Sequence, residues 1–362
     1  DFSLQYHHFS TMLLGLISNY YRNSFELDFK TLFLRSLRAS MKLVLCNGDA
    51  CYIGRGSHQT LGYYSLILAL CIGLEYENMK NIVETLFIVW RKIKQFPLES
   101  LVLNFKKQPI IHQDPDLFRE EFSGWYKYNN MLDYLTIGGT CLLAAKKILA
   151  RLNKSLIVGD IYHTKKIDQV IVADQIKIIK MKHYNAVISK PTRFLSEWLP
   201  IPFIVSNHDI LTPTYGGDQY SKAPSFINSI PIPLLSNRFL KYHHLSRIFY
   251  SNSRFTWKIG IFGFWARTFG FKKKRITITD NFRLSKKTKI KERFVFFNIV
   301  KNDNFYVSKG LKGIEKLKII PSINLYEGET FFTPYGQLKS LETHWFQIKE
   351  NPTFKLTLEL ES

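Results

Sequence analysis

The sequence has 362 residues, 46% of them apolar, and this apolar content excludes a chain that is disordered throughout. Its 50 Lys and Arg residues against 29 Asp and Glu residues give a net charge of +21, which favours a polyanionic partner: nucleic acid, an anionic membrane surface or an acidic polysaccharide. The length exceeds the usual span of one hydrophobic core and therefore predicts two domains.

The first part of the chain has the periodicity of α-helices. In residues 31–45, apolar side chains recur at spacings of three and four while basic side chains fall on the opposite face, which is typical of an amphipathic helix. The pattern recurs in 79–90, and a third helix is predicted over 131–152. Proline-containing stretches at 95–97 and 108–116 are predicted loops. This part is therefore expected to consist of helical hairpins.

No segment indicates a membrane span or a metal site. The longest uncharged apolar run, from Gln59 to Leu74, is shorter than the ~18 residues that cross a bilayer, so it predicts a buried helix. The four cysteines, at positions 46, 51, 71 and 141, lack the short paired spacing of a zinc site and are expected in the core. No metal or organic cofactor is expected. Because no signal stretch precedes Asp1, the chain is expected to be a fragment or a processed product.

Beyond about residue 160 the period of the apolar pattern changes to two. Alternating or continuous apolar segments at 276–279, 293–299 and 354–361 are typical of half-buried antiparallel strands. Helices followed by strands predict an α+β chain with a boundary between Asn153 and Thr164, which gives domains 1–160 and 161–362.

Two adjacent histidines, His7 and His8, are followed by two adjacent tyrosines, Tyr20 and Tyr21. Imidazole and phenol groups within a few helical turns can supply the base and the acid that remove a carbon-bound proton and protonate a leaving oxygen. The alternative is that both histidines cap or pack against a helix terminus.

A polar stretch at 47–59 precedes the predicted buried helix and contains Arg55 between two glycines. Glycine lets the backbone approach a ligand closely, and an arginine side chain can make a two-pronged contact with a carboxylate or sulfate. The stretch does not match a Walker phosphate loop, because no Lys-Ser/Thr pair follows the second glycine. An ordinary turn with an exposed arginine is the alternative.

Polar and aromatic residues are dense at 206–209 and 214–221, and they include Asn207, Asp209 and Tyr215. Such clusters line sugar-binding sites, and they also fit surface turns. The sequence contains no zinc finger, recognition-helix motif or RNA-binding aromatic motif, and its lysines are scattered over both halves. An acidic polysaccharide is therefore favoured over nucleic acid as the partner.

Four segments of the sequence resemble segments of one protein family, and they occur in the same order and with similar separations. Residues 1–7, ending in His7, resemble the stretch that carries the catalytic histidine of the polysaccharide lyases that include hyaluronate, chondroitin AC and xanthan lyases. The stretch 47–56 is similar to that family's Asn-Gly…Arg-Gly-Arg segment, 179–191 to the first strands of its β domain, and 215–233 to its Gly-Asp…Gln-Tyr-Ser…Leu-Pro stretch. The related heparinase II/III-type lyases share the architecture.

The resemblance implies the second half of an (α/α) toroid of helical hairpins, followed by a large antiparallel β-sandwich. It also implies an extracellular or cell-surface lyase that cleaves an acidic, uronic-acid-containing exopolysaccharide by β-elimination without a cofactor. The resemblance implies catalytic roles for His7, Tyr20, Tyr21 and Arg55. It implies substrate-binding roles for His8, Gln59, Asn207, Asp209 and Tyr215.

A noncatalytic carbohydrate-binding or scaffold protein of a polysaccharide biosynthesis and export cluster is the alternative. It predicts the loss of family residues, and here Leu16 occupies the position of the catalytic tyrosine while Gln59 replaces a second arginine. A hydrolase with paired carboxylates is disfavoured, because no Asp/Glu pair stands out in the candidate loops.

Overall fold

The structure of the chain is a computed structural model. It describes residues 3–21, 28–53, 60–77, 80–94, 131–152, 169–173, 176–189, 201–213, 232–235, 238–239, 246–251, 254–259, 263–284, 289–333, 336–344, 346–347 and 353–361. The chain divides into two compact units: unit 1 comprises Asp1–Ile167 with Gln219–Lys222, and unit 2 comprises Asp168–Asp218 with Ala223–Ser362. The predicted boundary at residue 160 lies outside the described residues and stays a prediction.

The described part of unit 1 contains five helices. They are α1 (Leu4–Tyr20), α2 (Phe29–Leu43), α3 (Thr60–Tyr76), α4 (Lys80–Lys94) and α5 (Met131–Leu152). Helix α3 is apolar on all sides and every residue from Thr60 to Leu74 is buried, which confirms the buried helix that the sequence predicts. Helices α1, α4 and α5 pack around it.

Helix α1 approaches α2 closely at a glycine, because glycine has no side chain to keep the two helices apart. A Cβ atom at Gly15 would lie 2.7 Å from the ring of Phe33, a distance that real Cβ atoms do not show. Helix α2 begins after Asp28, whose side chain accepts a hydrogen bond from the backbone N–H of Thr31 at 2.9 Å. The Gly15–Phe33 contact joins the second half of α1 to the first turns of α2, whereas the first turns of α1 meet the last turns of α2 at His7 and Ser40, where the candidate site lies.

The described part of unit 2 is built of antiparallel strands. The first strands are β1 (Gln169–Ala173), β2 (Ile176–Lys180), β3 (Asn185–Ser189), β4 (Phe203–Val205), β5 (Ile232–Leu235), β6 (Arg238–Phe239), β7 (Ser246–Ser251), β8 (Arg254–Ile259), β9 (Gly263–Lys272) and β10 (Arg275–Leu284). The later strands are β11 (Lys289–Lys291), β12 (Arg293–Phe296), β13 (Ile299–Asn302), β14 (Phe305–Lys309), β15 (Lys316–Pro321), β16 (Tyr326–Thr333), β17 (Gly336–Glu342), β18 (Phe346–Gln347) and β19 (Thr353–Glu361).

These strands form several sheets. The orders are β1-β2-β3-β4, β13-β14-β15-β19-β10-β9-β8-β7, β18-β11-β5-β6 and β12-β17-β16. In β19, Phe354, Leu356, Leu358 and Leu360 are buried while the residues between them are more exposed. Side chains of the first, second and fourth of these sheets meet in one apolar core. Helices followed by antiparallel sheets confirm the predicted α+β class.

A charged cluster lies inside unit 2. Arg267 on β9 donates two hydrogen bonds to Asp280 on β10, from Nε at 2.7 Å and from Nη2 at 2.6 Å. Its guanidinium carbon lies 5.0 Å from the ring centroid of Trp265. Glu292 is also fully buried, with Oε2 3.6 Å from Arg267 Nη2, beyond hydrogen-bond distance. Burial and the neighbouring Asp280 carboxylate raise the pKa of Glu292 well above its ordinary value, so folding favours the protonated form of this acid.

The replacement Glu292→Gln is expected to stabilise unit 2 at neutral pH. Folding raises the pKa of this carboxyl group. Its contribution to the stability of the folded protein therefore decreases as the pH rises from its ordinary pKa, near 4.5, to the raised value. Relative to the variant, the wild type should lose about 1.4 kcal/mol of unfolding free energy per pH unit in that interval. Urea unfolding at pH 4, 5.5 and 7 measures the difference. Equal curves for both proteins at all three values would contradict a buried protonated Glu292.

Candidate active site

His7 lies in the first turns of α1 and is half-buried. Its Nε2 atom is 3.1 Å from the hydroxyl oxygen of Ser40 on α2. Burial lowers the pKa of His7 below its ordinary value of 6.5, because the charged form is the one that desolvation disfavours. The ring is therefore neutral at pH 7 and carries a lone pair that can accept a proton.

His8 has a different environment, although its ring centroid is only 5.5 Å from that of His7. Its side chain is fully buried, and its Nε2–H donates to the backbone carbonyl of Ala50 at 2.8 Å. Burial, with a smaller contribution from the charge of His7, lowers the pKa of His8 to about 3. With no exposed surface, His8 ties α1 to the segment that follows α2, and its substrate-binding role stays a prediction.

The replacement His8→Gln is expected to make unit 1 less sensitive to acid. A histidine whose pKa is lowered by folding contributes stability that is complete above its ordinary pKa of 6.5 and is lost as the pH falls towards about 3. Between pH 6.5 and 4.5 the wild type should lose about 3 kcal/mol more unfolding free energy than the variant, whose amide can still donate to Ala50 but does not titrate in this range. Urea unfolding followed by helical circular dichroism measures this loss. Parallel pH profiles would contradict the assignment.

Tyr20 and Tyr21 lie at the opposite end of α1 from the histidines. Their rings contact each other edge to face at 4.8 Å, and the Tyr20 side chain is 82% exposed. Tyr20 lies thirteen positions after His7, which corresponds to about 20 Å along a helix axis. The structure therefore places these tyrosines far along α1 from His7, and their pairing with it as acid and base stays a prediction.

The segment after α2 is held by buried polar groups. Asp49 is fully buried and accepts hydrogen bonds from Tyr63 Oη at 2.9 Å, from Asn47 Nδ2 at 2.6 Å and from Lys92 Nζ at 3.2 Å. Gly48 has a φ of +88°, and a Cβ atom there would meet the backbone oxygen of Ile88 at 2.6 Å. The predicted ligand-facing part of this stretch, with Arg55 and Gln59, lies outside the described residues.

Asp209 in unit 2 has a structural role. It is 1% exposed, and its two carboxylate oxygens accept backbone hydrogen bonds from Ile210, Lys312, Ile314 and Glu315 at 2.8–3.3 Å. These bonds fix the turn between β14 and β15 and occupy both carboxylate oxygens, and the substrate-binding role of Asp209 stays a prediction.

The other two predicted substrate-binding residues of unit 2 are Asn207 and Tyr215. Asn207 is half-buried in the turn that precedes Asp209. Tyr215 lies outside the described residues.

Sequence reasoning missed the hydroxyl groups beside His7. Thr11 on α1 and Ser40 on α2 are fully buried, and Ser36 is half-buried one turn before Ser40. The sequence feature that could have indicated these hydroxyl groups is the spacing of four residues between His7 and Thr11 and between Ser36 and Ser40. This spacing places each pair on one helix face.

A groove of about 640 Å³ between α3, α4 and α5 is lined by apolar side chains such as Trp90 and Leu142, together with Lys146. It holds no pair of acid and base groups, so it is not the candidate active site. The described ranges contain no cluster of three or more His, Cys, Asp or Glu side chains that could hold a metal ion. Within the same ranges, no helix combines the length and the apolarity that a membrane crossing requires.

No protein-family model matches the sequence, and no curated protein sequence matches it. Solved structures of heparan sulfate lyase HepC from Pedobacter heparinus are similar to this chain with a TM-score of 0.40 and 12% identity. The wild-type comparison covers 99% of this chain and 59% of that chain, and a mutant form gives 92% and 56%. A heparinase III gene product gives a TM-score of 0.40 and 10% identity over 98% of this chain and 58% of that chain. The chain thus spans less than two thirds of the length of these structures.

Proposed function

We propose that this chain belongs to a polysaccharide lyase that cleaves an acidic, uronic-acid-containing glycan by β-elimination, with His7 as the base. The observation that carries the proposal is the state of His7. Its pKa is lowered by burial, its Nε2 atom is anchored to Ser40 at 3.1 Å, and its ring is only half-buried, so a neutral imidazole is available to a substrate.

The chemistry requires such a base. β-Elimination removes the proton on the carbon next to the uronate carboxyl group, forms a carbon–carbon double bond and breaks the bond to the glycosidic oxygen. A neutral imidazole accepts that proton, and the resulting imidazolium can return it to the departing oxygen when both lie on the same face of the sugar. The uronate carboxylate has to be neutralised in the transition state, and we propose Arg55 for this contact.

The remaining predicted residues are proposed as glycan contacts. Tyr20 and Tyr21 form an exposed aromatic pair, a surface on which a sugar ring can stack. Gln59, Asn207 and Tyr215 keep their proposed substrate-binding roles. The net charge of +21 favours the approach of a polyanionic chain.

We extend the proposal to the architecture and the location. The helices of unit 1 would be the second half of an (α/α) toroid, and the sheets of unit 2 would form an antiparallel β-sandwich. An enzyme that acts on an exopolysaccharide works where that polymer is, so we propose an extracellular or cell-surface location.

The test is incubation of the purified protein with hyaluronate, heparan sulfate and an acidic bacterial exopolysaccharide. β-Elimination leaves an unsaturated uronate at the new chain end, which absorbs ultraviolet light and gives a vinyl proton signal in nuclear magnetic resonance spectra. New reducing ends without unsaturation would indicate hydrolysis and would overturn the proposal.

A noncatalytic carbohydrate-binding protein is the second candidate. It is favoured by one observation, the distance of about 20 Å along α1 between His7 and the tyrosine pair. Glycan binding measured by calorimetry, with no unsaturated product from any of the three polymers, would support it over the lyase.

A further inference from the structure

Three hydroxyl groups, those of Thr11, Ser36 and Ser40, form a series of contacts that begins at His7 and lies between α1 and α2. Thr11 Oγ1 lies 2.8 Å from the backbone oxygen of His7, 2.6 Å from Ser36 Oγ and 3.4 Å from Ser40 Oγ. Ser40 Oγ in turn lies 3.1 Å from His7 Nε2. Thr11 and Ser40 are fully buried, and His7 and Ser36 are half-buried.

When all four contacts are hydrogen bonds, including the 3.4 Å contact between Thr11 and Ser40, the number of hydrogens allows one consistent set of directions. A hydroxyl group has one hydrogen and two acceptor lone pairs, whereas a backbone carbonyl can only accept. Thr11 therefore donates to the His7 carbonyl and accepts from both serines. The single hydrogen of Ser40 is then directed at Thr11, and Ser40 is left as an acceptor towards His7. The bond between Ser40 and His7 thus needs a hydrogen on Nε2 of the imidazole.

We infer that Thr11 and Ser40 are positioning residues that hold neutral His7 as the Nε2–H tautomer, so that Nδ1 is the basic nitrogen offered to a substrate. The Nε2 atom of His7 lies beside Ser40, and its ring is half-buried rather than enclosed, so Nδ1 is the ring nitrogen that remains for a substrate. The tautomer assignment stands on the hydroxyl geometry alone. Its catalytic meaning, that Nδ1 takes the proton, rests on the proposed function.

His8 is a titratable group whose ring centroid lies 5.5 Å from that of His7, and it does not disturb this assignment. It is fully buried and neutral, and its own Nε2–H is used by the Ala50 carbonyl. That bond does not involve Thr11 or Ser40. Substitutions at Thr11 or Ser40 should therefore change the tautomer of His7 and leave that of His8 unchanged.

The test is ¹⁵N nuclear magnetic resonance of the whole protein labelled at its ten histidines, with His7 assigned by the signal lost in His7→Gln. In the wild type at pH 8, the His7 shifts should be those of a protonated Nε2 and an unprotonated Nδ1. In Thr11→Val the hydrogen of Ser40 is released and can be donated to Nε2, so the dominant tautomer should invert. In Ser40→Ala, both tautomers should be populated.

Thr11→Ser is the matched control, because it keeps the hydroxyl group and should keep the wild-type shifts. The His8 signals serve as a control inside each spectrum and should not move. A wild-type His7 with its proton on Nδ1, or an unchanged tautomer in both Thr11→Val and Ser40→Ala, would overturn the inference. Two variants at different positions keep the test valid if one of them unfolds.

Kinetics separate this inference from the proposed function. If both hold, Thr11→Val and Ser40→Ala should lower kcat by about tenfold or more with little change in KM, while Thr11→Ser stays close to wild type. Tautomer changes without cleavage of any glycan by the wild type would support the positioning role and reject the lyase. Glycan cleavage with a tautomer that does not respond would reject the positioning role and leave the lyase intact.

Discussion

Replacing His7 by glutamine is expected to lower kcat/KM for glycan cleavage by about 10²–10⁴-fold, the contribution typical of a general base. Glutamine is close to histidine in size, and its amide can still reach Ser40, so the contact between α1 and α2 should persist. What the variant lacks is a nitrogen that can accept a proton near neutral pH. The rate of formation of unsaturated uronate, measured by ultraviolet absorbance, gives the effect.

The matched control is His183→Gln, the same chemical change at an exposed residue of the turn between β2 and β3. It should retain the wild-type rate. The urea midpoint of His7→Gln should also stay near that of the wild type, which would show that the loss lies in the chemistry rather than in folding. A His7→Gln protein that forms unsaturated product at the wild-type rate would remove His7 from the mechanism.

The helices were the most predictable part of this chain, because their apolar spacing reflects burial directly. The predicted segments 31–45, 79–90 and 131–152 correspond to Phe29–Leu43, Lys80–Lys94 and Met131–Leu152. The strand pattern at 354–361 likewise corresponds to Thr353–Glu361. The order of the sheets was not predictable, since β19 pairs with β10 and β15 from distant parts of the sequence, and no local pattern contains that information.

The candidate site shows the same limit. Adjacent residues on a helix point about 100° apart, so two neighbouring histidines have different surroundings, and only one of them need be fully buried. The sequence does not say which one. Packing of His8 against Ala50, 42 positions along the chain, decides it and leaves His7 half-exposed. For Asp209, the partners that occupy its carboxylate include backbone groups more than 100 positions away, so a turn motif alone could not separate a structural aspartate from a binding one.

A second large effect is expected from Lys92→Met. Lys92 on α4 is 2% exposed and its Nζ atom lies 3.2 Å from Asp49 Oδ2, which has no exposed surface. Removing one member of a buried ion pair leaves the other charge without its counter-ion, and this typically costs about 3–5 kcal/mol. Methionine fills a similar volume, so the loss should come from the uncompensated carboxylate rather than from a cavity.

The double variant Asp49→Asn/Lys92→Met tests that reason directly. With both charges removed, Tyr63 and Asn47 remain beside a neutral amide, and the protein should recover more than half of the stability that Lys92→Met loses. Lys147→Met on α5 is the control for the change in net charge, since this exposed side chain should tolerate it within about 0.5 kcal/mol. Urea unfolding followed by helical circular dichroism measures all four proteins. If Lys92→Met costs no more than Lys147→Met, the pair is solvated and contributes little to unit 1; if the double variant is less stable than Lys92→Met, the penalty arises from lost hydrogen bonds at Asp49 rather than from its unpaired charge.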